Sequence, residues 1–143
     1  MICILSFVFI AMTASVSYAA DTVDDYSAII SSLPALGEQA TEFPSFIAFD
    51  GDPNYAGSFE GKQGNVQVNG YVQNGLIYGL TIQPLGNISA DTASAVANIL
   101  EEKYGRPSFS APGAVYEWKY SRNGVRWYVQ FACGAGIISG QRN

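Results

Sequence analysis

The chain has no histidine. That removes the commonest general base and the commonest transition-metal ligand, so Ser-His-Asp triads, His-activated nucleophiles and ordinary zinc sites are excluded in their usual forms. Cysteine is almost as scarce, with only Cys3 and Cys133. Cys3 falls in the leader described below, so the rest of the chain cannot close an internal disulfide and must be held by packing. Cations are few: seven Lys and Arg stand against twelve Asp and Glu, a net charge of −5. The basic residues form no run, which disfavours nucleic acid as a partner. No internal repeat, low-complexity segment or cofactor motif appears.

Charge is also missing from the amino terminus, where the first charged residue is Asp21. From Ile2 to Met12 the residues are apolar apart from Ser6, the length and position of a secretory signal core. Ser17 and Ala19 supply the small residues a signal peptidase accepts, which places cleavage after Ala19, with Ala20 as the alternative. A retained transmembrane anchor is the rival reading, but Thr13 to Tyr18 is too polar to complete the roughly 20 residues that a spanning helix needs. The sequence therefore predicts a signal peptide over 1–19 and a single exported domain over 20–143, secreted or periplasmic, with no stable membrane span after cleavage.

Within that domain, Tyr26, Ile29, Ile30, Leu33 and Leu36 recur at helical spacing, predicting a first helix capped by Asp24 or Asp25 and ending near Leu33, before Pro34 and Gly37. Phe46–Phe49 and Tyr55–Glu60 suit two strands around the turn Asp50-Gly51-Asp52-Pro53-Asn54. Val66, Val68, Gly70 and Val72 alternate with polar residues, and Leu76, Tyr78, Leu80 and Ile82 follow Asn74-Gly75. A three-residue loop, Gln73-Asn74-Gly75, would align these two apolar sets, pairing Val72 with Leu76 and laying Tyr78 over Gly70.

A second helix is expected from Ser89 or Asn87 to Tyr104, with Ala93, Val96, Ala97, Leu100 and Tyr104 on one stripe, Asp91 in the first turn, and Gly105 and Pro107 as stops. A last hairpin turning at Asn123-Gly124 puts Tyr116, Trp118, Tyr120, Trp127, Val129 and Phe131 on one face. The expected fold is α+β: an antiparallel sheet of about six strands in the order helix, four-stranded meander, helix, hairpin, with the helices packed on one face.

Candidate sites are few. In Asp50-Gly51-Asp52-Pro53-Asn54 the side-chain oxygens of Asp50, Asp52 and Asn54 alternate as at the start of a calcium loop. Tyr55 and Gly61 stand where such a loop needs glycine and a bidentate carboxylate, so an ordinary turn is the preferred reading. Without histidine, paired carboxylates are the remaining catalytic option, and Asp50, Asp52, Glu60 and Glu117 are the candidates. Cys133 reads as a buried small apolar group. Gly134-Ala135-Gly136 reads as a flexible turn before Ile137 and Ile138, although it resembles part of a phosphate loop. Asn87-Ile88-Ser89 matches a glycosylation acceptor, with Ser89 preferred as a helix cap.

Tyrosines expected on polar faces or loops (Tyr55, Tyr71 and Tyr128) are candidate binding residues together with Asp50 and Asp52, since surface tyrosine anchors partner proteins and stacks on sugars. The expected function is a non-enzymatic binding protein of the cell envelope or extracellular space, of inhibitor, immunity or adaptor type. It would act by occluding another exported or envelope protein, and its acidity favours a basic partner. The alternatives are a small-molecule or glycan carrier, with a groove lined by Tyr78, Tyr104, Tyr116 and Trp127, and a carboxylate-dependent hydrolase. No cofactor is expected.

Overall fold

The computed structural model describes residues 22–40 and 42–143; the expected signal peptide lies outside them. Helix α1 occupies residues 22–32. A meander follows: β1 (Ile47–Asp52), β2 (Ala56–Gln63), β3 (Val66–Gln73) and β4 (Leu76–Pro84). Helix α2 (Ala90–Tyr104) leads to a second meander of β5 (Phe109–Ala111), β6 (Val115–Arg122), β7 (Val125–Ala132) and β8 (Ile137–Arg142). All strands join one antiparallel sheet in the order β1-β2-β3-β4-β8-β7-β6-β5. The chain thus repeats one topology, a helix followed by four strands, and the last strands of the two halves meet at the centre.

The expected sheet of about six strands is corrected to eight, and the closing hairpin to a four-stranded meander. β5 escaped because it is only three residues long, set between Pro107 and Pro112, with Phe109 exposed; short edges flanked by proline are a usual protection against edge pairing. β8 escaped because Ile137 and Ile138 are its only large apolar residues. It is nonetheless central, and Gly140 explains part of this: a Cβ there would stand 3.1 Å from Leu36 Cδ2 and 3.6 Å from Leu80 Cγ. The missing side chain makes room for leucines from the loop after α1 and from β4.

The two Asn-Gly hairpins show how turn chemistry and hydrophobic parity compete. At Asn123-Gly124 both residues have positive φ, 53° and 79°, as a two-residue type I′ turn requires. Tyr120 pairs with Trp127, Trp118 with Val129 and Tyr116 with Phe131, as the alternation predicts. Asn74-Gly75 makes the same turn, with φ 53° and 75°, so Gln73 pairs with Leu76 and Val72 with Ile77. The expected three-residue loop is therefore overturned. Parity is restored instead by a bulge at Tyr78, after which Tyr71 faces Gly79, Gly70 faces Leu80 and Val68 faces Ile82. Gly70 is covered by Phe59 and Gly79 by Tyr71; a Cβ on either glycine would lie 2.4 Å from the covering ring.

Both helices cover one face of the sheet. α1 buries Tyr26, Ile29 and Ile30, and α2 buries Ala93, Val96, Ala97 and Leu100. Ser89 caps α2, its Oγ accepting from Thr92 N, and Gly105 closes it. Asp24 and Asp25 lie inside α1 and do not cap it; the Asp25 carboxylate instead accepts the Asn65 N–H in the β2–β3 turn at 2.9 Å. Lys103 of α2 donates to the carbonyls of Ile30 and Leu33, satisfying acceptors that the end of α1 leaves open, and its burial lowers its pKa.

Three tyrosines stitch loops to this core. Tyr26 OH donates to Gly136 O, Tyr120 OH donates to Leu36 O, and Tyr104 OH accepts from Leu36 N. Burial pushes the Tyr104 phenol up to about 12 and raises those of Tyr26 and Tyr120 further. Above the ordinary phenol value of about 10 the unfolded chain gives up these protons while the folded chain keeps them, so ionisation favours unfolding. Their stabilising contribution is complete below about pH 10 and is lost as pH climbs through the folded values. Lys103, shifted downward, acts in the opposite sense only below its ordinary value of about 10.4. The urea midpoint should therefore fall steeply between about pH 10 and 12; a midpoint unchanged across that range would contradict this account.

Candidate functional site

The face opposite the helices is left uncovered by the described chain, and its composition follows from strand parity. Wherever β2, β3, β4, β6, β7 and β8 turn an apolar side chain toward the helices, the intervening residues point outward. Two cross-strand rows run the width of the sheet. One is Ala48, Glu60, Asn69, Thr81, Ser139, Gln130, Glu117 and Phe109. The other is Asp50, Ser58, Tyr71, Gly79, Gln141, Tyr128 and Lys119. In these rows the four middle strands carry amides, hydroxyls and two tyrosines but no charge. Charges stand at the wings: Asp50 and Glu60 on β1–β2, Glu117 and Lys119 on β6.

The β1–β3 wing is hollowed. Ala48, Asp50, Ser58, Glu60, Asn69 and Tyr71 line a concavity of about 520 Å³. It adjoins a second hollow of about 410 Å³ lined in part by Phe46, Lys62 and Gln67. Tyr71 is 45% exposed and lies across Gly79, its ring 5.9 Å from that of Tyr78. Among the described residues the one ion pair is Arg122 with Glu38 at 2.9 Å; neither Asp50 nor Glu60 forms one, although Lys62 shares the adjoining hollow with Glu60. Tyr128 is more tightly held: its OH donates to Glu117 Oε1 at 2.9 Å, and Lys119 Nζ sits 5.8 Å from its ring centroid. Burial, then the hydrogen bond to Glu117, raises its phenol pKa.

The structure brings some predicted site residues together and separates others. Asp50 and Tyr71 share the concavity, and Tyr128 lies in the same row beyond Gly79 and Gln141. Tyr55 is 68% exposed but sits in the β1–β2 turn, outside the concavity. Asp52 ends β1, and its Oδ1 accepts the Asn54 N–H at 2.9 Å, which explains Asp50-Gly51-Asp52-Pro53-Asn54 as a strand end closed by an Asx turn. Among the described residues no group of three or more His, Cys, Asp or Glu could hold a metal ion. Of the four carboxylates weighed for catalysis, Asp50 and Glu60 adjoin one another and Glu117 lies across the sheet.

Glu60, Ser58 and Asn69 were not singled out together by the sequence, where alternation placed only Asn69, along β3, on the polar face.

The ring groove expected between helices and sheet is filled. Tyr116 stacks on Trp118 and Phe131, Tyr104 packs on Trp118 and Tyr120, and Tyr78 sets its edge to the buried Trp127. The space left between the two helices and the sheet is about 10 Å³, too small for a ligand. A hollow of about 460 Å³ lies at the start of α2, beside Tyr116 and Cys133. Cys133 is buried, and burial pushes its thiol pKa up, so it is a poor nucleophile.

Among the described residues no helix is long and apolar enough to cross a membrane. No protein-family model matches the chain, and neither a curated protein nor a solved structure matches it.

Proposed function

We propose that the protein is an exported, non-enzymatic binding module of the cell envelope or extracellular space, of inhibitor, immunity or adaptor type, which occludes a partner protein with the open face of its sheet. The observation that carries this reading is the make-up of that face: tyrosine, amide and hydroxyl side chains in the two rows across the four middle strands, where the one exposed charge of the face is Arg126 at the start of β7. Such groups are desolvated more cheaply than charges, and tyrosine supplies rigid contact area with a polar tip. The size is also suitable. Eight strands at about 4.8 Å spacing, averaging roughly 20 Å in length, present about 700 Å², close to the roughly 800 Å² a standard interface takes from each partner.

The net acidity of the chain favours a basic exported or envelope protein, because attraction between opposite charges speeds encounter. Tagged protein incubated with envelope and secreted extracts should retain one partner in stoichiometric amount. Tyr71→Ala with Tyr128→Ala should weaken that complex by tenfold or more, since buried interface tyrosines contribute about 1–2 kcal/mol each, and association should slow as salt is raised. Full retention of the partner by the double variant, or a salt-independent rate, would remove the open face from the mechanism.

A glycan or small-molecule carrier is the alternative, favoured by the exposed Tyr71 ring beside Asn69 and two carboxylates. A carboxylate-dependent hydrolase is ranked below both, and turnover abolished by a single Asp50→Asn or Glu60→Gln replacement in a folded protein would bring it forward.

A further inference from the structure

We infer that the β1–β3 wing of the open face receives an arginine-bearing segment of the partner protein, and that this contact fixes the direction in which the partner lies across the sheet. The inference rests on the binding-module reading above and adds to it the chemistry and orientation of the occupant.

Four observations converge on an arginine. Asp50 and Glu60 border one concavity, and no ion pair holds either among the described residues, Lys62 lying in the adjoining hollow beyond Glu60. Ser58 faces Asp50 and Glu60 is two residues further along β2, which sets the two residues on a cross-strand diagonal of roughly 7–8 Å on one face, within reach of the two edges of one guanidinium. Tyr71 faces Ser58 and is exposed, giving the ring on which a guanidinium stacks, and Asn69 faces Glu60 with an amide acceptor. A compact ammonium could sit over the ring or against a carboxylate but would not span both carboxylates, whereas the planar fork spans them and stacks flat on the ring.

Orientation follows from the rest of the face. The four middle strands carry no charge in the two rows; the β6–β7 side carries Lys119 and the exposed Arg126 against one carboxylate, Glu117, which already accepts from Tyr128 OH, whereas the β1–β3 wing carries Asp50 and Glu60 against one cation, Lys62. A basic segment is therefore favoured at β1–β3 over β6–β7, so a partner turned end for end exchanges an excess of carboxylates for an excess of cations.

The test is a titration of the isotope-labelled protein, followed through its backbone amide resonances, with a peptide of alternating arginine and glycine. The same peptide carrying citrulline serves as the uncharged isostere. The arginine peptide should shift the amides of Asp50, Ser58, Glu60, Asn69 and Tyr71. The citrulline peptide should bind about three- to tenfold more weakly, the range expected for two exposed charge contacts, and Asp50→Asn with Glu60→Gln should weaken the arginine peptide equally. Lys119→Gln should not weaken it. These are surface replacements, and an unchanged urea midpoint verifies the fold.

Equal binding of the two peptides, binding unaffected by the carboxamide variant, or shifts centred elsewhere would overturn the inference. So would a neutral oligosaccharide that moves the same amides when the arginine peptide does not, which hands the concavity to the glycan reading. A partner captured through Tyr71 and Tyr128 but indifferent to Asp50→Asn with Glu60→Gln overturns this inference and leaves the binding module standing. Failure to capture any partner counts against the binding module alone.

Discussion

Replacing Trp118 by alanine should destabilise the protein by about 3–5 kcal/mol, the usual range for removing a buried tryptophan. With a urea slope of about 1–3 kcal/mol/M for a domain of this size, the midpoint falls by about 1 M or more. Three contributions act together. Trp118 is 1% exposed, so nearly the whole indole is withdrawn from water. Its ring contacts those of Tyr116 and Tyr104, with centroids 6.2 and 6.4 Å away, so truncation leaves a cavity beside Tyr104, whose hydroxyl is held by Leu36 N, and Tyr116, which is stacked on Phe131. Its Nε1 donates to Gly105 O at 2.8 Å, at the residue that closes α2, and alanine leaves that carbonyl without this partner. Trp118→Phe separates the effects: it keeps most of the apolar volume, loses the hydrogen bond, and should fall between wild type and alanine. An unchanged midpoint in the alanine variant would mean that β6 does not face the core as described.

How much of this was legible in the sequence depended on whether the signals were local. The β6–β7 hairpin could be registered residue by residue because Asn123-Gly124 and the flanking alternation point to the same pairing. At Asn74-Gly75 the same dipeptide imposed the same turn, but local alternation argued against it. The bulge at Tyr78 that reconciles the two leaves no mark in the residue pattern. β8 was hidden for a different reason: its place at the sheet centre is set by β4 and β7 and by the fit of Leu36 against Gly140, all contacts from distant parts of the chain. The repetition of a helix and four strands was equally hidden, since it lives in strand order and the residues do not repeat.

The site divides in the same way. Parity along β3 and β7 placed Tyr71 and Tyr128 on the polar side, and both are there. That Asp50, Glu60 and Tyr71 border one concavity follows from the pairing of β1 with β2 and β2 with β3, which no single strand encodes.

Gly37→Ala should be among the most damaging single-methyl additions in the molecule, at roughly 2–5 kcal/mol, because two separate penalties fall on one residue. Gly37 has φ +87°, where an L side chain is strained by about 1–2 kcal/mol. A Cβ there would also lie 2.6 Å from both Cε2 and Nε1 of Trp127, and overpacking of this kind adds about 1–3 kcal/mol. Neither side has an easy retreat. The indole is 1% exposed and meets the Tyr78 ring edge-on at 5.3 Å. The loop is held from above by Tyr104 and Tyr120 at Leu36, and at Gly37 itself by the N–H donated to Ile77 O at 2.8 Å. Lifting the loop breaks that bond and opens Trp127 to water. Gly113→Ala is the matched control, since Gly113 has φ +83° but nothing within 4 Å of its Cβ position, so it carries the backbone strain alone. The urea midpoint of Gly37→Ala should lie clearly below that of Gly113→Ala. Trp127→Phe, which shortens the ring at the point of contact, should recover part of the difference in a double-mutant cycle. Equal midpoints for the two alanine variants would show that the loop yields freely, and that Gly37 is required only for the shape of the turn.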